Sequence, residues 1–261
     1  MVRYDVLVTG NNLKLGDDFL GISSVVLVEA GGRRLLVDAG GPTTRGSLRK
    51  ALAARGLGGG EIDAVVLTHL HFDHVYNLDL FPRARVLVAA AEMAYAARPH
   101  AADDFVPSWI LPQLEKRGHE VLTTGQLEAG VEVLAAPGHT PGLHALRLET
   151  GDGPVLLASD AIKYPKEIMM RASDLEFAPP GTATATIERL MDWPARIVPG
   201  HFPELHRVGD GPGWGWDGGR SGSSLGVGVL GGLGGAATSP AHPPFGGGPA
   251  SPGIAAFHCG I

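Results

Sequence analysis

Apolar residues in this chain come in short bursts separated by glycine and proline, so the pattern predicts many short elements rather than a few long ones. Residues 4–9, YDVLVT, alternate as a half-buried strand does. SSVVLVEAGGRRLLVDAGG reads as two strands turned back at Gly31-Gly32, because glycine accepts the positive φ angles of a tight hairpin. In TTRGSLRKALAARGL, Leu48, Leu52 and Leu57 recur at roughly helical spacing, with Thr43 or Thr44 as N-cap and Gly56 near the end. IDAVVL is short and wholly apolar, as expected of a strand covered on both faces. Further strands are predicted in ARVLVA, HEVLTT, VEVLAAP, LHALRLET, PVLLASD and RIVPG, and helices in AAEMAYAAR and ATATIERLMDWPA. Pro99, Pro107 and Pro112 break any long element between 99 and 118. Strands followed by a helix, twice over, fit two sheets packed face to face with helices outside better than one doubly wound sheet.

The pattern stops near residue 208. Residues 209–261 are roughly one-third glycine, rich in proline, serine and alanine, and hold no lysine or glutamate. Such a segment buries too little apolar surface to offset its ordering entropy, yet it lacks the charge usual in disordered chains. We therefore divide the chain into a domain over 1–208 and a Gly/Pro-rich tail over 209–261. The tail reads either as a flexible extension or as the product of a shifted reading frame in a GC-rich gene.

Composition narrows the function by exclusion. The 261 residues carry a net charge of −6 and no long basic run, which argues against nucleic acid as a partner. Cys259 is the sole cysteine, so neither an internal disulfide nor a thiolate cluster is available. The start MVRYDVLVTG lacks the apolar core of a signal peptide, and no apolar run reaches the length of a membrane span. The expectation is a cytoplasmic protein without a membrane partner, acting on a small molecule.

The candidate chemistry lies directly after IDAVVL. THLHFDH places His69, His71, Asp73 and His74 within six positions. In extended chain His69 and His71 leave on the same side, while Asp73 and His74 follow as the chain turns into a helix beginning near Val75. One pair can face one point and the other pair a neighbouring point. Imidazole with carboxylate is a ligand set for zinc, manganese or iron. Three more candidates each sit just beyond an apolar strand: His139 in APGHTPG, Asp160 ending PVLLASD, and His201 after RIVPG. His100, His119, His206, His242 and His258 show no such placement, and His144 reads as a packed strand residue.

The order HLHFDH, GH, strand-terminal Asp, late GH resembles the metallo-β-lactamase-fold hydrolase superfamily over residues 4–205. The resemblance implies an α/β (α+β) fold, a four-layer αββα sandwich of two mixed β-sheets with outer helices. It also implies two divalent ions, Zn2+ first with Fe or Mn as alternatives. One would be held by His69, His71 and His139, the second by Asp73, His74 and His201, with Asp160 bridging both. Asp38, ending LLVDAG, matches a position that supports the site from behind its ligands.

Two such ions would activate a shared water to attack a carbonyl or phosphoryl centre, with Asp73 orienting the nucleophile or passing a proton to the leaving group. Members of the superfamily that are true β-lactamases usually lack the Asp-His pair and bridging carboxylate present here, which argues against β-lactam hydrolysis as the main activity. Acyl-homoserine lactonases of the fold carry a tyrosine three residues after the bridging Asp. Here that position is Lys163 and the tyrosine is Tyr164, and either could polarise a carbonyl oxygen. The leading expectation is hydrolysis of a carboxylic ester, a lactone first. The alternatives are a glyoxalase II-like thioester hydrolase and, in another class, a mononuclear-iron persulfide dioxygenase. Segments 93–118 and 161–180 are expected to wall the pocket, with Met93, Tyr95, Phe105, Trp109, Ile110, Met169 and Met170 as candidate lining.

Overall fold

In the computed structural model, which describes residues 1–16, 18–209, 213–216 and 228–230, the glycine pair at 31–32 turns the chain as expected. Both residues have positive φ, 59° and 79°, and Ala30 pairs with Arg33 across the turn. Strand β1 (Arg3–Val8) is followed by a small ribbon, β2 (Lys14–Leu15) with β3 (Asp18–Phe19), and then by the hairpin strands β4 (Val25–Ala30) and β5 (Arg33–Val37). With β6 (Ala64–Val66), β7 (Arg85–Ala89) and β8 (Glu120–Leu122) they make a mixed six-stranded sheet in the order β1-β4-β5-β6-β7-β8. Its β5-β6-β7-β8 half is parallel.

The second sheet begins with β9 (Gly125–Glu128), β10 (Val131–Ala135), β11 (His144–Thr150) and β12 (Gly153–Ser159). It continues through β13 (Arg196–Pro199), β14 (Leu205–Arg207), β15 (Trp214–Trp216) and β16 (Gly228–Leu230), in sequence order across the sheet. Only β12 and β13 run parallel within it. Strands β9, β14, β15 and β16 went unread because GQLE, LHR, WGW and GVL are too short or too polar to show alternation. The sheet thus runs on past residue 208. The rest of the tail, and with it the reading-frame question, lies outside the described residues.

Burial shows why the central strands are apolar on both faces. Along β5, Leu35 and Val37 join Leu146, Leu148, Val155 and Leu157 between the sheets, whereas Leu36 turns outward. Leu36 there meets Leu48 and Leu52 of α1 (Arg45–Ala53) and Ile110 and Leu114 of α4 (Ile110–Arg117). On the far side Leu156 and Ile197 pack under Ile187 and Leu190 of α6 (Thr182–Met191). Helix, sheet, sheet, helix is the expected four-layer sandwich. Shorter helices α2 (Phe72–Val75), α3 (Ala90–Ala97) and α5 (Pro165–Met170) follow strand ends. Helix α4 forms in spite of Pro112, which sits in its first turn where an amide has no intrahelical partner to lose. Helix α2 starts at Phe72 rather than near Val75, so Asp73 and His74 ride on its first turn.

The inter-sheet layer predicts its own sensitivity. Leu146 is fully buried there, and Leu146→Ala is expected to cost about 2–5 kcal/mol in urea unfolding. A loss below about 1 kcal/mol would mean that the sheets are not closely packed at this point.

Candidate metal centre

Ligand-capable residues stand at the ends of four neighbouring strands because each strand stops at the same rim. β5 ends just before Asp38, β6 leads through Leu67 and Thr68 to His69, β12 ends before Asp160, and β13 leads through Gly200 to His201. Two of these exits are strained. Asp38 and Ser159 both have positive φ, 61° and 47°, a conformation that non-glycine residues adopt only when their surroundings impose it. At Gly200 the approach is so close that a Cβ would overlap Asp160 Oδ1.

The structure brings all seven sequence candidates together, and all are buried: His69, His71, Asp73, His74, His139, Asp160 and His201 are each at most 6% exposed. Their ligand-type atoms gather in three overlapping sets, His69/His71/His139, His69/His74/Asp160 and Asp73/His74/His201, each within 4.8 Å. Asp160 sits at the junction. Its Oδ1 is 3.3 Å from His74 Nε2, and its Oδ2 is 3.3 Å from both His139 Nε2 and His201 Nε2. Asp73 Oδ2 lies 3.5 Å from His201 Nε2 and 3.7 Å from His74 Nε2.

The far nitrogen of every ring is occupied. His74 Nδ1 meets Asp38 Oδ2 at 2.8 Å, His139 Nδ1 meets Leu175 O at 3.2 Å, and His201 Nδ1 meets Ile22 O at 3.0 Å. His69 Nδ1 meets Thr68 Oγ1 at 3.1 Å, and that hydroxyl also reaches both Asp38 oxygens. His71 is turned the other way, with Nε2 against Asp103 Oδ2 at 3.0 Å. Acceptors on the outer nitrogens place the N–H there and leave lone pairs aimed inward. His71 Nδ1 and His139 Nε2 therefore face each other at 3.0 Å. Inside the cluster His69 Nε2, Asp73 Oδ2, His74 Nε2 and Asp160 Oδ1 are buried without any hydrogen-bond partner. An unmet buried polar atom costs about 1–3 kcal/mol. Imidazole lone pairs and carboxylates converging in this way fit divalent cations.

Protein charges alone leave the cluster divided. Burial and the neighbouring His74 and His71 push His69 well below the usual imidazole range. Burial and Lys163 do the same to His139. For His74, burial works downward but Asp73, Asp160 and Asp38 outweigh it and hold the ring well above that range. His201 is likewise raised against its burial, by Asp160 and Asp73. Burial would raise Asp160, yet His201 and His74 hold it well below the carboxylate range.

Sequence reading missed several supports. Asp103 comes from the proline-broken 99–118 stretch and also accepts Tyr95 OH at 2.6 Å. Ser159 Oγ joins Thr68 Oγ1 and Asp38 Oδ2, and Ser23 Oγ donates to Asp73 O at 2.5 Å. Glu92 of α3, fully buried and raised by that burial, takes Leu70 N and Thr140 Oγ1, so it ties the first histidine loop to the His139 loop. Lone acids on a helix or in a polar loop carry no spacing signal. GHTP alone, with its hydroxyl next to His139, offered a hint.

A cleft of about 300 Å³ opens onto the cluster, and Phe19, Phe72, Phe105, Lys163, Tyr164 and Asp174 are among the residues that line it. Of the seven lining candidates only Phe105 reaches it. Ile110 and Met93 belong to the first-sheet core, Tyr95 is spent on Asp103, Trp109 packs on Tyr76, and Met169 and Met170 are exposed on α5. Tyr164 OH donates to Asp174 Oδ2. Lys163 Nζ lies 2.6 Å from Glu167 Oε1. Among the described residues no helix is long and apolar enough to cross a membrane.

Comparison with known proteins meets this geometry. Relatives include metallo-beta-lactamase domain-containing protein 1 of Homo sapiens, 31% identical over 188 residues that cover 70% of this chain and 63% of that protein. An N-acyl homoserine lactonase of a Bacillus species is 39% identical over 106 residues, 40% of this chain and 39% of the relative. The chain thus spans less than two thirds of the length of these relatives. A candidate metallo-beta-lactamase from Thermotoga maritima superposes with a TM-score of 0.64 at 22% identity, covering 79% of this chain and 99% of that one. An N-acyl homoserine lactone hydrolase, solved with N-hexanoyl-L-homoserine at its catalytic metal center, superposes at 0.58 with 20% identity, covering 72% and 86%. The profile of the metallo-beta-lactamase superfamily matches residues 18–201, a span that holds every ligand candidate, and the chain belongs to that superfamily.

Proposed function

We propose that this protein is a dinuclear metal-dependent hydrolase of carboxylic esters, with a lactone as the preferred substrate. The observation that carries the reading is Asp160, a buried carboxylate whose two oxygens face histidines of both ligand sets. His69, His71 and His139 would hold one ion, Asp73, His74 and His201 the other, and Asp160 would touch both. Zinc suits this set of nitrogen and oxygen donors. Two divalent ions held there would supply a water whose pKa is lowered to about 7 and would polarise the carbonyl oxygen of an ester.

The chain's own groups do the rest. Asp160 and the outer acceptors, Asp38, Asp103, Thr68, Leu175 O and Ile22 O, keep the inward lone pairs aimed before substrate arrives, so little reorganisation is needed during reaction. Asp73 lines the cleft with Oδ2 unpartnered. From there it can orient the attacking water and take a proton for the departing alkoxide. Tyr164 lines the same cleft. Burial and the bond to Asp174 raise its phenol above the ordinary range, so it stays a proton donor at neutral pH. Turning from Asp174 toward the cleft, it would donate to the carbonyl or leaving oxygen. The phenylalanine wall suits the apolar part of an acyl substrate, and the lactonase relative supports a cyclic ester. A thioester would fit the same machinery. The complete second ligand set, Asp73, His74 and His201, speaks against a mononuclear iron oxygenase.

Three measurements test the reading. Purified protein should hold about two metal ions per chain, and a chelator should abolish hydrolysis that zinc then restores; one iron per chain would overturn it. Across a panel of lactones, thioesters, phosphodiesters and β-lactams, lactones should turn over fastest, and Asp160→Ala should remove the activity. Hydrolysis that survives Asp160→Ala would place the reaction elsewhere. Tyr164→Phe should lower kcat by roughly ten- to a hundredfold with little change in KM, and an unchanged kcat would remove Tyr164 from the chemistry.

A further inference from the structure

The loop between Asp160 and α6 holds a buried acid that neither the ligand sets nor the hydrolytic reading uses. In KYPKE, Pro165 starts α5 and Glu167 follows in its first turn. An acid in a first turn commonly reaches back to an amide ahead of the helix, and here Glu167 Oε2 accepts Lys163 N at 2.6 Å. The other oxygen, Oε1, is 2.6 Å from Lys163 Nζ. Helix α5 then ends at Arg171 in the left-handed conformation, φ 50°. The chain doubles back, and Asp174 N and Ser173 Oγ both reach Glu167 Oε1 at 3.0 Å. Glu167 is fully buried and Lys163 nearly so.

The two stretches that Glu167 joins each hold a histidine of the site. Lys163 O accepts the amide of His201 at 2.8 Å. On the other stretch, Leu175 O accepts His139 Nδ1 at 3.2 Å, and Phe177 N donates to His139 O at 3.0 Å. Ser173 Oγ, which donates to Glu167, also accepts the amide of Leu175 at 3.3 Å and lies 2.9 Å from Leu175 O.

We propose that Glu167 is a positioning residue for the metal centre. Through Lys163 it sets where His201 stands, and through Ser173 and Asp174 it sets where the Leu175 carbonyl meets His139. Lys163 is then the cation that balances Glu167 in the interior, with its ammonium already spent on Glu167 and Ser173, and is not the group that polarises a substrate carbonyl. The role separates the two lysine-tyrosine neighbours: Lys163 holds the frame, Tyr164 faces the cleft.

This inference rests on the dinuclear reading above, and zinc binding tests the two separately. Zinc affinity of the metal-free full chain is measured by competition with a chelating indicator, with circular dichroism and thermal melting as the fold control. Glu167→Gln keeps the shape but sets an amide against the Lys163 donors. It should weaken zinc binding by about tenfold or more, the usual effect of disturbing a ligand's outer partner. Ser173→Ala removes only the link to the Leu175 stretch and, on a partly exposed loop, leaves folding intact; a several-fold weakening is expected. Lys163→Met should weaken zinc binding as well, whereas a substrate-contacting lysine would change KM alone. Wild-type protein that binds no zinc would sink the dinuclear reading. Wild-type binding with unchanged affinity in folded Glu167→Gln and Ser173→Ala would sink the role of Glu167. If Glu167→Gln does not fold, Ser173→Ala alone decides.

Discussion

The fold depends on one electrostatic demand that the chain does not meet by itself. Seven ionisable side chains are buried at one rim of the sandwich, and four of their polar atoms have no partner in the protein. Burying such groups is strongly unfavourable unless something charged completes them. The rest of the architecture concentrates that demand in one place. Parallel pairing of β5 with β6, and of β12 with β13, brings strand ends to a common edge. The strained exits at Asp38 and Ser159 then turn the chain into the cluster at once. Three apolar layers, one between the sheets and one outside each, supply the stability that lets the rim carry this strain.

Within the cluster the two ligand sets are not independent. Asp38 takes His74 Nδ1 directly and reaches His69 through Thr68 Oγ1. With Nε2 of His69 turned inward, its Nδ1–H donates to Thr68 and the threonine hydroxyl donates to Asp38. One carboxylate thereby fixes the tautomers of a histidine in each set. Ser159 Oγ also reaches Asp38, and Ser159 is the residue before Asp160. A shift of β12 that moved Asp160 would therefore be felt at His69 and His74 through the same carboxylate. Such coupling through a shared hydrogen-bonded group makes contributions of these residues non-additive.

How far the sequence speaks follows from the same geometry. The clustered candidates were legible because strand ends mark themselves: IDAVVL before His69, PVLLASD with Asp160 at its end, RIVPG before His201. Hairpin and helix positions were legible wherever glycine pairs or leucine spacing met a buried face. Supports such as Asp103, Glu92 and Glu167 were not, because one acid in a loop or a helix has no periodicity, and its partner is set only by the tertiary fold. Pocket walls failed for a related reason. Met93, Ile110, Met169 and Met170 are apolar residues of the expected loops, but hydrophobicity does not say whether a side chain turns to core, cleft or solvent.

The same division separates what the sandwich holds in place from what its loops add. The candidate ligands His69, Asp160 and His201 stand at or just beyond strand ends, which the sandwich holds in place. The cleft walls come from the β2–β3 ribbon, the 103–109 stretch and the 161–175 loop, where Phe19, Phe105 and Tyr164 stand. Walls built on loops can change without disturbing the core. Yet two of these loops also reach back to ligands, one through Asp103 on His71 and one through Leu175 on His139. A substitution that reshapes the cleft at 105 or 174 therefore lies within two residues of the acceptor of an imidazole, Asp103 for His71 or Leu175 O for His139. Cleft shape and the placement of the cluster's histidines are mechanically linked in this chain, so a new wall must also preserve the acceptor that holds its histidine.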